Sequence, residues 1–286
     1  MNQKIILKTL ILILFLLPVS SKAVVIFEDD FESGNLAHVD STSGATWMGS
    51  NYGLEDLVEI TTENSHSGLY SLKFLFAGNS NMADDAWAEE RFTFGAPVNE
   101  VHIRFYIYFS ENYIIRDDPN GADNTKLGVF WGEAYSDPVT MAIEYEVDMK
   151  PRFKTKVAGY PNQPVCSGNT GFVSNPLISG TMTSILDMKG QWTAVEYRLK
   201  TDTGLGDGAF QMWINGNLEV DAQNISWVGA PCSPGYLLNG YLMGWSNSGF
   251  NEDTSVYIDD IVFSDNYIGP IDSGESPSSP TGLNII

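Results

Sequence analysis

The chain is expected to fold as an all-β antiparallel sandwich. Three observations lead there. Period-two alternation recurs in many short segments, turn-forming residues separate them at fairly regular intervals, and no long segment shows the 3.6-residue repeat of an amphipathic helix. The turn residues are abundant, with 27 glycines and 13 prolines among 286 residues.

The segments follow in order. A strand starts at Val24 and runs into the acidic turn Glu28-Asp-Asp-Phe-Glu-Ser-Gly34. A second begins near Ala45, and two more span Leu57–Thr61 and Ser71–Phe76, split by the turn at Asn64–Gly68. Between Ala88 and Phe94, Glu89, Arg91 and Thr93 point one way, and Glu90, Phe92 and Phe94 the other. Val101–Ser110 is the most regular strand. Lys126–Trp131 comes next, with Lys126, Gly128 and Phe130 expected on one face. Thr140–Asp148 sets Met141, Ile143, Tyr145 and Val147 against Ala142, Glu144, Glu146 and Asp148. In Arg152–Val157, Arg152, Lys154 and Lys156 alternate with apolar or small residues. Trp192–Lys200 should bury Val195, Tyr197 and Leu199. Phe210–Ile214 should bury Phe210, Met212 and Ile214 and turn Trp213 outward, and Asn215-Gly216 is a hairpin signal. Gly240–Ser246 and Ser255–Ser264 close the set.

The ends differ in character. Lys4 and Lys8 precede the apolar run Leu10–Leu17. Pro18 and small residues follow, ending in Ser21-Lys-Ala23. This is the pattern of an export signal cleaved after Ala23, and it is short for a membrane anchor. Residues 24–270 then suffice for one core and one domain, and 271–286 read as a Ser/Pro-rich tail. The expected location is outside the cell or in a periplasm.

Charge excludes some partners. Fifteen basic residues face 36 acidic ones, a net charge of −21, and losing Lys4, Lys8 and Lys22 with the signal takes this to −24. Such a surface repels nucleic acid and anionic membranes. No partner chain is expected, so a monomer is. The two cysteines, Cys166 and Cys232, lie in Pro/Gly/Ser-rich stretches. In an exported chain they read as a disulfide joining two loops.

The regular strand carries the candidate chemistry. Val101, Ile103, Phe105, Ile107 and Phe109 would fill a core, while His102, Arg104, Tyr106 and Tyr108 share the opposite face. A proton-transfer group, a fixed cation and two amphipathic rings suit a sugar-binding surface, and the arginine suits a sugar with a carboxylate. The other reading is a strand whose outer face is covered by a loop.

Four pieces carry a family resemblance: Phe27-Glu-Asp-Asp-Phe-Glu-Ser-Gly34, the central strands, Gly190-Gln-Trp192 with Gly208-Ala-Phe-Gln-Met-Trp-Ile-Asn-Gly216, and Tyr257-Ile-Asp-Asp-Ile-Val-Phe263. Together they resemble the concanavalin A-like jelly roll, and within it the bacterial polysaccharide lyases of the heparin and glucuronan lyase groups. The resemblance implies a polymer groove on a concave sheet and cleavage of an acidic, uronate-containing polysaccharide by β-elimination. His102, Arg104, Tyr106 and Tyr108 would be the catalytic set, with Arg91, Lys126, Phe130, Glu144, Glu146, Lys154 and Trp213 as substrate contacts. It also implies a structural calcium ion shared by the terminal strands, held by Glu28 or Asp30 with Asp259. The chain departs from the pattern where many such lyases carry Gln-x-His: it reads Lys126-Leu-Gly128. A non-catalytic carbohydrate-binding module is therefore one alternative. A glucanase-like hydrolase using Glu144, Glu146 and Asp148 is another, although pairing of that acidic face with Arg152, Lys154 and Lys156 accounts for the same residues.

Overall fold

A computed structural model describes residues 23–38, 42–49, 57–81, 84–114, 116, 125–133, 139–145, 151–157, 172–174, 183–201, 207–225, 236–247 and 249–271, and only the backbone of 139–145, 151–157, 172–174 and Ile225. The export signal, Cys166, Cys232, Glu146, Asp148 and the tail lie outside the described residues.

In chain order the elements are β1 (Val25–Asp29), β2 (Thr46–Gly49), β3 (Val58–Thr61), β4 (Ser71–Phe76), β5 (Ala86–Val98), β6 (Glu100–Phe109), β7 (Thr125–Trp131), β8 (Val139–Tyr145), β9 (Pro151–Val157), β10 (Phe172–Ser174), the single helical turn α1 (Ile185–Met188), β11 (Trp192–Lys200), β12 (Gly208–Ile214), β13 (Asn217–Ile225), β14 (Leu237–Ser246) and β15 (Thr254–Ser264). They form two antiparallel sheets. The back sheet runs β13-β12-β11-β6-β15-β4-β3, with β1 also paired to β15, and the front sheet runs β10-β9-β8-β7-β14-β5-β2. This is the all-β sandwich that the alternation implies.

Alternation sorts residues into a shared core. On β6, Val101, Ile103, Phe105, Ile107 and Phe109 are fully buried. Val195, Tyr197 and Leu199 of β11 and Phe210, Met212 and Ile214 of β12 face the same interior. From the front sheet, Ala88, Phe92 and Phe94 meet them. Phe92 lies at the centre of the aromatic packing, 4.7 Å from the Phe263 ring, 5.3 Å from Phe94, 6.0 Å from Phe130 and 6.2 Å from Trp47. Such edge and tilted contacts add to the stabilisation from removing large apolar surfaces from water. The β12–β13 hairpin turns at Asn215 and Gly216, both at positive φ (48° and 77°), as a two-residue turn of this kind requires.

One face assignment is corrected. Phe130 does not share a face with Lys126 but points into the core and is fully buried. The β7–β8 register shifts between Lys126 and Gly128. An extra residue at such a bulge exchanges the two faces beyond it, so Val129 and Trp131 take the outward positions and cluster with Tyr241, apart from the main core.

Truncating the central ring tests this packing. Phe92→Ala is expected to lower unfolding stability by about 3–5 kcal/mol, the usual cost of emptying a large buried aromatic site, read as a fall in the urea midpoint at unchanged slope.

Candidate functional site

The outer face of β6 is covered, which corrects the open-trough expectation. His102, Arg104 and Tyr106 are only 5%, 6% and 6% exposed, whereas Tyr108 is half-buried. Segment 265–271 lies over the row as a strap. Glu196 of β11, opposite Arg104 in register, accepts the amides of Ile268 (3.0 Å) and Gly269 (2.8 Å) and contacts His102 Nδ1 at 2.9 Å. The Tyr106 hydroxyl accepts the Ile271 amide at 2.7 Å. Trp213 does not reach a groove with Arg91: it lies on the back sheet against the strap's Tyr267, ring centroids 5.0 Å apart. Loop 64–67 completes the cover, with the His66 ring stacked on Tyr106 at 3.5 Å and bonded through Nδ1 to Asp260.

The physical reason is polar satisfaction. Buried charged groups need partners, and the row is rich in them. Arg104 donates to the carbonyl oxygens of Asp260 (3.2 Å) and Gly269 (3.5 Å) and sits over the Tyr106 ring. Burial holds its guanidinium below the ordinary arginine range, opposed by Tyr106, Asp260 and Glu196.

The calcium donors do not gather. Glu28 and Asp30 are exposed on and just after β1, and Asp30 caps the Glu32 amide. Asp259 is fully buried, with one oxygen accepting the Asp260 amide and the other those of His66 and Ser67. Among the described residues no three carboxylate, imidazole or thiolate groups converge as a metal centre would need. These residues do not fit a cation cage.

The front sheet presents a different surface. On β5, Trp87, Glu89 and Arg91 point outward. Glu89 is fully buried and accepts Trp87 Nε1 on one oxygen and Arg91 Nε on the other, both at 2.7 Å. Arg91 retains 20% of its side-chain exposure. Its guanidinium lies 5.5 Å from the Trp131 ring centroid and 5.9 Å from that of Tyr241. Tyr241 is opposite Arg91 in register, and Trp245 is opposite Trp87. The two indoles lie 4.6 Å apart and tilted, with Trp245 36% exposed and bonded to Asp85. Gly244 has φ +126°, and a side chain there would collide with the Tyr241 ring.

The result is a cation whose plane is set by one buried carboxylate and two rings, beside an accessible indole pair. Arginine takes a carboxylate through its planar terminal fork, and Glu89 holds the Nε side. Indoles offer flat apolar faces suited to sugar rings. Sequence reasoning identified Arg91 but not Glu89, Trp87, Trp131, Tyr241 or Trp245. The signal was available in the alternation Trp87-Ala-Glu-Glu-Arg91 and in the aromatics of Gly240–Ser246. Lys126 is half-buried, and its register partner is Glu144, which in turn pairs with Arg152. Lys154 is opposite Ala142. Of the three cations expected opposite that acidic face, Arg152 alone lies in register with a described carboxylate, and Lys156 lies opposite Thr140.

No protein-family model and no curated protein sequence matches the chain. Solved structures do match. An endo-β-1,4-glucuronan lyase from the fungus Trichoderma reesei superposes with a TM-score of 0.56 at 14% identity, over 85% of this chain and 96% of that one. The alginate lyase vAL-1 from a Chlorella virus gives 0.54 at 14% identity, over 85% and 100%. An alginate lyase Aly36B variant in complex with an alginate trisaccharide gives 0.50 at 17% identity, over 86% and 98%. The chain therefore has the jelly-roll fold of polysaccharide lyases, as the resemblance implied.

Two outcomes test the covered face. Glu196→Ala removes the acceptor for two strap amides and His102. It is expected to cost about 3 kcal/mol and to expose 265–271 to limited proteolysis. Burial, reinforced by neighbouring Asp260 and outweighing the three amide donors, pushes Asp259 up to about 8 from 3.8. Between those values the folded chain holds a proton that the unfolded chain has lost, so this group's contribution to stability falls as pH rises through the window and levels off above it. Denaturant midpoints measured across that range should decline less steeply in Asp259→Asn.

Proposed function

We propose that the protein is exported, binds an acidic, uronate-containing polysaccharide along the outer face of the front sheet, and cleaves it by β-elimination. The observation that carries this reading is Arg91: partly exposed, oriented by Glu89 and ringed by Trp131 and Tyr241. Its guanidinium would take the uronate carboxylate, with Trp87 and Trp245 stacking on adjacent sugars. Neutralising that carboxylate acidifies the C5 proton. A base removes the proton, the C4–O bond breaks, its electron pair goes to the leaving oxygen, which takes up a proton, and a C4–C5 double bond forms. The lyase fold shared with glucuronan- and alginate-cleaving enzymes supports the same chemistry.

The base on this face is a tyrosine. All three histidines of the chain sit elsewhere: His38 against Phe27, His66 on Tyr106 and His102 beside Glu196. Tyr241 is the described tyrosine next to Arg91. Its low exposure, 2%, favours a second reading, in which the groove binds the polymer without cutting it.

The test incubates the protein lacking residues 1–23 with polyglucuronate, alginate, a heparin-type polymer and a neutral β-glucan. The expected outcome is ultraviolet absorbance of an unsaturated uronate from one of the acidic polymers. Arg91→Ala should reduce both cleavage and retardation in an affinity gel by at least about tenfold, the loss of one charge-assisted contact. Tyr241→Phe should reduce cleavage alone. Retardation without absorbance establishes the binding-only reading; reducing ends without absorbance indicate hydrolysis. Neither signal on any acidic polymer overturns the proposal.

A further inference from the structure

The covers on the back sheet stop short of one row. Across five strands, the register aligns Trp192 of β11 with Tyr108 of β6, Tyr108 with Tyr257 of β15, Tyr257 with Lys73 of β4, and Lys73 with Glu59 of β3. All five side chains stand on the outer face. The next row, Ala194–Tyr106–Asp259, lies beneath His66 and the strap. Trp192 and Tyr108 are half-buried, whereas Glu59 and Glu63 keep 58% and 54% of their side-chain exposure.

The row is a built surface. The Tyr108 ring lies 5.6 Å from Trp192 and 5.9 Å from Tyr257. Trp192 is fixed through Nε1 to Asn64 at 3.2 Å, and Tyr257 donates to Glu63 at 2.9 Å. The Tyr108 hydroxyl has no hydrogen-bond partner among the described residues. Lys73 is held by Glu63 at 2.7 Å and Glu59 at 3.2 Å.

We propose that this row, Trp192–Tyr108–Tyr257 with Glu59 and Glu63 at its end, is a second saccharide-binding site that takes a neutral, extended glycan. The half-buried Trp192 and Tyr108 rings offer apolar faces to the C–H faces of successive sugars, and Tyr257, only 8% exposed, packs beside Tyr108 as their support. Adjacent strands lie roughly 4.8 Å apart, close to the advance of one sugar along an extended chain, so a glycan running across the strands meets one side chain per residue. The exposed carboxylates accept hydroxyl hydrogens. Charge selects the neutral class. The one cation of the row is matched by two carboxylates, leaving a local negative charge within a chain of net charge −21, so a polyuronate is repelled here. The site lies on the opposite sheet from Arg91 and does not depend on the function of that face.

The test titrates the protein lacking residues 1–23 with cellohexaose, mannohexaose and xylohexaose, following tryptophan fluorescence and calorimetry. Binding of at least one is expected. Tyr108→Ala and Trp192→Ala should each weaken it by roughly tenfold or more, as loss of one stacking ring does. Tyr108→Phe should retain it, and Arg91→Ala should leave it unchanged. If Trp192→Ala does not fold, Tyr108→Ala decides, since that hydroxyl supports no other described group. Failure to bind any of the three, or binding that Tyr108→Ala leaves intact, overturns the proposal.

Discussion

The back sheet rests on the requirement that a strand buried on both faces must satisfy every polar group it carries. Strand β6 comes within one atom of that condition: Arg104 Nε alone among its buried side-chain polar atoms has no hydrogen-bond partner among the described residues. Its inner face is wholly apolar and fills the sandwich core. Its outer face carries His102, Arg104 and Tyr106, which water would normally solvate. The chain supplies other partners: the Glu196 carboxylate, the carbonyl oxygens of Asp260 and Gly269, and the backbone of Ile271. Glu196 matters most, because it joins a histidine on the neighbouring strand to two strap amides. A buried carboxylate left without those donors would be strongly unfavourable, so the strap and the row hold each other in place.

That mutual cover decides which outer surfaces of the sandwich stay open to solvent. With its central rows closed by loop 64–67 and segment 265–271, the back sheet keeps the ring row accessible beyond their edge. The front sheet presents Arg91 and the indole pair. There Glu89 does for the arginine what Glu196 does for the strap: a buried carboxylate fixes the orientation of donors around it. The difference lies in what is fixed. Glu196 immobilises backbone, whereas Glu89 aims a cation and an indole.

The strands were legible in the sequence because alternation is local. The inward sets of β6, β11 and β12 and the Asn215-Gly216 turn follow from residue order alone. The covering of the outer face was not legible in the same way. Whether His102 and Arg104 meet solvent or a strap depends on residues more than 150 positions away, and nothing in Val101–Ser110 distinguishes the two cases. Phe130 shows a second limit. One bulged residue exchanges faces, and period two read through Lys126-Leu-Gly128 has no means of registering it. Trp213 was correctly turned outward, but outward on the back sheet means toward Tyr267. Alternation gives the face of a strand; only the sheet order says what lies opposite.

An acidic protein that binds an acidic polymer must separate long-range repulsion from short-range attraction. Screening does this. At physiological salt, charges beyond roughly 8 Å are largely hidden from one another, so the net charge of the surface weakens encounter more than it weakens a formed contact. The proposed contact of Arg91 with a uronate is of the kind that survives. Its guanidinium is partly desolvated, and the rings beside it exclude water, which raises the effective strength of an ion pair. The ring row needs no such device, because a neutral sugar carries no charge to repel. A single glycan strand cannot touch both surfaces, since the two sheets face opposite ways across a sandwich roughly 10 Å thick between sheets. Two polymers of different charge class can, and a molecule holding a neutral glycan on its back would keep the Arg91 face turned toward any acidic chain in the same matrix, raising the effective concentration of the second encounter without a new contact.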